Sequence, residues 1–221
     1  MKSYFVTSSG TGIGKTLVTC ALTHQLSAKG LDLRVLKPVV TDFAESREET
    51  SDTYEIVHAL GEQITAEAIA RVSPWRFIAP MSPDMAASRE GKSIDFRDLI
   101  EFCRPGPEDI QLIEGVGGAF VPIDERHLVV DWIKALDTSV ILVAGSYLGT
   151  LSHTIATVMA LAAREIPVSA LVISESEDSP VPPEETEATL RRFLPDIPIA
   201  QVPRVAHWRE APDLTSLVLR D

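Results

Sequence analysis

The chain has 221 residues, 45% of them hydrophobic and 24% charged, and a formal net charge of −12. That length suits one large domain with a substantial core, and the composition is that of an ordinary soluble globular protein. The acidic balance excludes non-specific nucleic-acid binding and an anionic membrane surface as partners, since both need a basic footprint. It leaves room for a small anionic ligand, because a few local cations and backbone N–H groups outweigh a global charge at short range.

Taken in chain order, MKSYFVTSSG has too short an apolar run for a signal peptide. No later run reaches the ~20 apolar residues of a membrane helix, so the chain is expected in the cytoplasm. YFVT (4–7) predicts the first strand, and SSGTGIGKT (Ser8–Thr16) follows it. A phosphate loop of the usual spacing, G-x-x-x-x-G-K-[ST], would have glycine at position 9, where this chain has Ser9. The loop is then one residue longer, with Gly10 and Gly12 expected to supply positive φ angles. It opens a helix over 15–29, with Leu17, Val18, Ala21, Leu22 and Leu26 apolar and Gly30 as a stop. Between a strand and a helix, GKT has a mechanism. Backbone N–H groups face phosphate oxygens, Gly14 lets the backbone approach, Lys15 reaches the terminal phosphates, and the Thr16 hydroxyl binds Mg²⁺. The other reading is a tight strand–helix turn with an exposed lysine. Cys20, on this helix, and Cys103 belong to no CxxC or Cys/His pattern, so reduced thiols are expected and no structural zinc.

LRVLKPV (33–39) predicts the second strand, with Lys37 at the carboxyl edge where open α/β sheets bind ligands. A lysine placed before a proline at the end of an apolar strand is hard to explain as packing. Thr41 follows and is positioned to donate to a substrate. A helix over 51–60 starts at Ser51-Asp52. Either residue suits a helix cap, and Asp52 is also a candidate Mg²⁺ ligand. DIQLIEG (109–115) is the next strand and runs into a glycine-rich turn. Its terminal acid, Glu114, stands where a phosphate-loop protein needs a metal ligand, the alternative being a solvated acid in a turn.

Strands follow at SVILVAG (139–145), PVSALVIS (167–174) and IPIAQVP (197–203), and helices at 127–136, 150–164 and 184–194. The acidic, proline-rich SEDSPVPPEET (176–186) reads as a surface loop leading to a helix start. VILVA and ALVI are apolar on both faces, as in a parallel sheet covered by helices on each side. The alternation predicts one α/β domain over 1–221, a doubly wound, mostly parallel sheet of P-loop NTPase-like type, with no internal repeat.

These pieces together resemble the dethiobiotin synthetase family. The matching segments are YFVTSSGTGIGKT, LKPV with Thr41, SD at 51–52, SPWRFIAPMSP (73–83), LIEGVGG (112–118), DWI (131–133), VILVAGSYLGTLSHT (140–154) and IAQVPRV (199–205), in order over nearly the whole chain. The resemblance implies an ATP-dependent ligase of biotin synthesis that takes 7,8-diaminononanoate, CO₂ and MgATP to a cyclic urea through a carbamate and a carbamic–phosphoric anhydride. It implies that Lys15, Lys37 and Thr11 serve the chemistry and that Thr16, Asp52 and Glu114 hold Mg²⁺. It implies ATP contacts from Gly12, Ile13, Gly14, Leu17, Gly115, Val116, Gly117, Ser174, Glu175, Pro203, Arg204, Val205 and Glu210. Thr41, Thr150, Leu151 and Ser152 would meet the substrate, the last three as a helix N-terminus offered to a neighbouring subunit of a homodimer, with capping by Ser152 or Thr150 as the plainer alternative.

The chain departs from the family pattern at the loop. Ser8 replaces a common glycine, and Gly10 and Gly12 stand where acids are common. Ser174 stands where an asparagine reads adenine, and one hydroxyl offers less than an amide, so weaker base discrimination is expected. A partition or regulatory switch ATPase is the competing reading. That branch carries a lysine five residues before the loop lysine, where this chain has Gly10. An amidoligase of the cobyrinate type would need a glutaminase domain for which 221 residues leave no room.

Overall fold

The computed structural model describes residues 2–43 and 51–219. The strands are β1 (Lys2–Ser8), β2 (Leu33–Leu36), β3 (Val39–Val40), β4 (Trp75–Arg76), β5 (Ile110–Glu114), β6 (Ser139–Ala144), β7 (Val168–Ser174) and β8 (Ile199–Val202). The helices are α1 (Lys15–Ala28), α2 (Asp52–Ala59), α3 (Ala66–Val72), α4 (Pro83–Arg89), α5 (Phe96–Phe102), α6 (Val129–Leu136), α7 (Thr150–Ala162) and α8 (Pro183–Phe193). Six strands form one parallel sheet in the order β2-β5-β1-β6-β7-β8.

Side chains alternate across a strand, and this divides the apolar runs between two cores. Phe5, Ile113, Leu142 and Ile173 enter one core with Trp132 of α6 and Leu161 of α7. Val6, Leu112, Ile141 and Val172 enter the other with Val18 and Leu22 of α1 and Ile56 of α2. Phe5 meets Trp132 edge-on, with ring centroids 4.8 Å apart. Burial explains why these strands are apolar on both faces. It also explains the cysteines: Cys20 and Cys103 are unpaired and buried, and burial pushes the Cys103 thiol up to about 12 and that of Cys20 higher still.

The chain departs from β1 to β2 on one side and later reaches β6 on the other, so the sheet order reverses beside β1. Val6 pairs with Glu114, Ser8 with Val143 and Leu36 with Ile113. The carboxyl ends of β1, β2 and β5 therefore reach the same edge, the usual place for a ligand.

The expected second strand, 33–39, is divided in two. β2 stops at Leu36, the Lys37 N–H bonds to Val72 O (3.1 Å), and Val39–Val40 pairs with Trp75–Arg76 in a separate two-stranded sheet. Pro38 has no N–H for the main ladder and restricts the residue before it. Helices α3, α4 and α5 lie between 60 and 108, where the residue pattern predicts no helix. Each has seven residues, too short for a hydrophobic stripe to show. The proline-rich loop leads, as expected, into a helix: α8 has proline at its first turn.

Candidate functional site

Ser8 ends β1 rather than opening the loop. Its buried hydroxyl reaches the carbonyls of Gly10 (2.5 Å) and Gly117 (3.0 Å) and accepts from Lys15 Nζ (3.1 Å). The loop is thus fastened to the turn after β5. Gly118 completes the contact, since a Cβ there would lie 3.3 Å from both Gly10 N and Ser8 O. The positive φ angles fall at Gly12 (71°) and Gly14 (89°), not at Gly10. A Cβ on Gly10 would meet only the Tyr147 hydroxyl, at 3.8 Å, so the close approach requires glycine at 118 and not at 10. Gly14 is also the N-cap of α1, so the loop leads directly into a helix N-terminus, where partial positive charge favours phosphate.

Lys15 is buried, with 7% of its surface exposed, against the alternative of an exposed lysine. Burial, and after it the Lys37 ammonium, lowers its pKa to about 8. Lys37 is 3% exposed, with its Nζ 2.5 Å from Glu114 Oε1 and 2.9 Å from Asp52 Oδ2. Burial alone would lower the Lys37 pKa, but Asp52 and Glu114 hold it above the usual lysine range. Lys37 in turn keeps the Asp52 carboxyl below its ordinary value. Thr16 Oγ1 donates to Glu114 Oε1 (2.8 Å).

The two residues at the start of α2 divide their work. Ser51 is the N-cap and accepts from Tyr54 N–H (3.2 Å). Asp52 is left to face Lys37. Glu114 is fully buried, which excludes a solvated turn acid, and its Oε2 has no hydrogen-bond partner among the described residues.

One cavity of about 640 Å³ collects Thr11, Gly12, Ile13, Gly14, Lys15, Thr16, Lys37, Thr41, Asp52, Glu114, Val116 and Gly117. The other residues expected at the site lie outside its lining. Leu17 is in α1, and Gly115 directly follows β5. Ser174 packs against Gly14, where a Cβ would fall 3.0 Å from Ser174 Cβ and closer still to its Oγ. Glu175 accepts from Arg204 N–H (2.9 Å), next to Pro203 and Val205. Glu210 belongs to a 3₁₀ turn, Trp208–Glu210. That turn is tied to α2 by Trp208 Nε1 donating to Glu55 Oε2 (2.8 Å) and by Arg209 beside His58 (3.1 Å).

Thr150, Leu151 and Ser152 begin α7. Its N-cap is Gly149 (φ 100°), with no side-chain cap, and Thr150 Oγ1 donates to Gly145 O (2.7 Å). Neither Thr150 nor Ser152 is the cap.

Sequence reasoning missed part of the lining: Asp42, Val121 and the segment Pro80–Pro83. Asp42 has a positive φ of 62°, which no pattern announces. Pro80–Pro83 reaches the cavity through the small β3–β4 sheet, a tertiary feature.

The donor set fits Mg²⁺. A hydroxyl and two carboxylates are hard oxygen ligands of the kind Mg²⁺ takes, and all three line one cavity. Glu114 Oε2, buried with no hydrogen-bond partner among the described residues, is a donor free to meet a cation.

A family model described as an AAA domain matches residues 2–215. The ATP-dependent dethiobiotin synthetase BioD of Acidiphilium cryptum is 46% identical over 198 residues, covering 88% of this chain and 89% of that protein. The protein of the same name from Caulobacter vibrioides is 40% identical over 223 residues, covering 99% and 100%. Among solved structures, the MinC:MinD cell division complex of Aquifex aeolicus superposes with a TM-score of 0.55 at 11% identity, covering 93% of this chain and 82% of that one. A ParA family ATPase from Chlorobium tepidum gives 0.55 at 14%, covering 93% and 85%. At such identities these structures speak for the fold alone.

Proposed function

We propose, from the premise that the chain belongs to the ATP-dependent dethiobiotin synthetase family, that it closes the urea ring of dethiobiotin from 7,8-diaminononanoate, CO₂ and ATP. One substrate amine takes up CO₂ as a carbamate. A carbamate oxygen attacks the γ-phosphorus of ATP, ADP leaves, and a carbamic–phosphoric anhydride forms. The second amine attacks the anhydride carbon, closes the ring and releases phosphate, with the amine protons passing to solvent or phosphate.

The observation that carries this reading is the convergence of two buried lysines, two carboxylates and a hydroxyl at the mouth of a glycine loop, in one cavity. Phosphoryl transfer asks a protein mainly for positioning and charge neutralisation. In this reading Lys15 and Lys37 neutralise charge on the phosphates and the carbamate. Thr11 lies beside the phosphates and Thr41 beside the substrate nitrogens. Thr16, Asp52 and Glu114 would hold Mg²⁺, which when bound supplies charge neutralisation at the ATP phosphates. Ser174, Glu175, Pro203, Arg204, Val205 and Glu210 form the base and ribose side.

The whole chain acts as one ligase domain, and a homodimer completes the substrate site. The uncapped N-terminus of α7 suits the substrate carboxylate. Leu148 (87% exposed) beside it and Met159 (65% exposed) on the same helix support a subunit contact there. Among the described residues no helix is long and apolar enough to cross a membrane.

The test is incubation with diaminononanoate, bicarbonate and MgATP, and detection of the cyclic urea by mass. ATP hydrolysis that ignores the substrate, with no urea formed, would move the assignment to an ATPase of the switch type.

A further inference from the structure

We infer that Lys37 is the resident counter-cation of the metal site. In the nucleotide-free protein its ammonium holds Asp52 and Glu114 and keeps a divalent ion out, so metal enters only with nucleotide. The inference rests on the assignment of Thr16, Asp52 and Glu114 as metal donors.

Three observations lead to it. First, the ammonium sits on the donors themselves, 2.5 Å from Glu114 Oε1 and 2.9 Å from Asp52 Oδ2. Thr16 Oγ1 contacts the same Glu114 oxygen. A divalent ion added beside the ammonium would set three positive charges against two carboxylates, in a place where Lys37 and Glu114 are almost wholly shielded from water. Like charges so close and so poorly screened exclude one another.

Second, the arrangement is only half satisfied. Glu114 Oε2 is buried without a partner among the described residues, and an ion pair that leaves such an oxygen unmet is a poor final state. A metal with several coordination positions would meet it, whereas one ammonium on Oε1 does not. Third, Lys37 has somewhere to go. Its backbone is fixed by the N–H bond to Val72 O and by Pro38. The flexible side chain lines the same cavity as Gly12–Thr16, where the phosphates would lie. Nucleotide phosphates would draw the ammonium from the carboxylates and vacate their oxygens for the metal that arrives with them. Lys37 thus has two stations, on the carboxylates before binding and on the nucleotide phosphates after it.

The experiment uses Mn²⁺ as the probe, counting bound ion by the loss of the free-ion paramagnetic resonance signal. The full chain, Lys37→Gln and Glu114→Gln are each titrated with and without ADP. The unmodified chain is expected to bind Mn²⁺ at this site only in step with ADP occupancy, a result that needs no variant. Without nucleotide, Lys37→Gln should bind Mn²⁺ at least about tenfold more tightly than the unmodified chain, and its melting temperature alone should rise with added Mn²⁺.

Equal nucleotide-free affinity in these two proteins, at any level, overturns the inference, as does nucleotide-free Mn²⁺ binding by the unmodified chain that Glu114→Gln abolishes. If Glu114→Gln leaves Mn²⁺ binding with ADP unchanged, the metal assignment itself fails. If Glu114→Gln weakens it and Lys37→Gln gains nothing without ADP, only the counter-cation role falls.

Discussion

Replacing Gly14 by alanine tests how far the phosphate loop depends on one missing side chain. Gly14 has φ 89°, and a Cβ there would fall 3.0 Å from Ser174 Cβ and closer to Ser174 Oγ. An L-residue in the left-handed region costs about 1–2 kcal/mol. The overlap adds about 1–3 kcal/mol, the usual range for overpacking. The Ser174 hydroxyl can rotate away, but its Cβ cannot, so the lower part of that range applies. Gly14→Ala should therefore lose about 2–4 kcal/mol in urea unfolding. Removing the opposing side chain separates the two contributions. In a cycle of Gly14→Ala, Ser174→Gly and the double variant, the pair should show about 1–2 kcal/mol of coupling, with the double variant less destabilised than the sum. The φ cost should remain. A Gly14→Ala protein within about 0.5 kcal/mol of the unmodified chain, a margin at which surface substitutions fall, would refute the reasoning, and zero coupling would remove Ser174 from it.

Lys37→Gln should lower turnover by ~10²-fold or more, as loss of a preorganised charge-stabilising donor does, with ATP still bound; unchanged turnover would take Lys37 off the catalytic list. For Lys15 the sign follows from its lowered pKa of about 8. The protonated form costs stability in full below about pH 8, and the cost is relieved as pH rises toward the unfolded value near 10.4. Phosphate would raise that pKa again, so ATP binding at about pH 8.5 should take up a proton, and affinity should fall toward tenfold per pH unit above that. Calorimetry in buffers of different protonation enthalpy measures the uptake, and none at all would remove Lys15 from contact with the phosphates. Finally, Ser174 offers a single hydroxyl beside Gly14, so turnover with ATP should exceed that with GTP and CTP by less than about tenfold, little more than one pocket contact provides. A strong ATP preference would place base selection elsewhere.

Much of this protein was legible in the residue order alone. Strand–helix alternation and the doubly apolar runs require a parallel sheet covered on both faces, because only burial on each side makes VILVA and ALVI soluble. The loop from Ser8 to Thr16 declares its helix by position and its ligand by GKT. Lys37 and Glu114 stand out because a charged residue at the end of an apolar strand needs a reason. These are local signals, set by side-chain period and backbone chemistry over a few residues.

Contacts between residues distant in sequence were settled only by the folded chain. Pro38 divides the second strand, and the resulting β3–β4 sheet brings Pro80–Pro83 to the cavity. Ser51 takes the cap and releases Asp52 to meet Lys37. Ser8 fastens the loop to Gly117, although the sequence marks it only as a lost glycine. Lys37 and Glu114 are 77 positions apart, and no pattern in either segment foretells that the ammonium lies on the carboxylate. Strand register set that contact, by pairing β2 and β1 with β5 so that their ends meet at one edge.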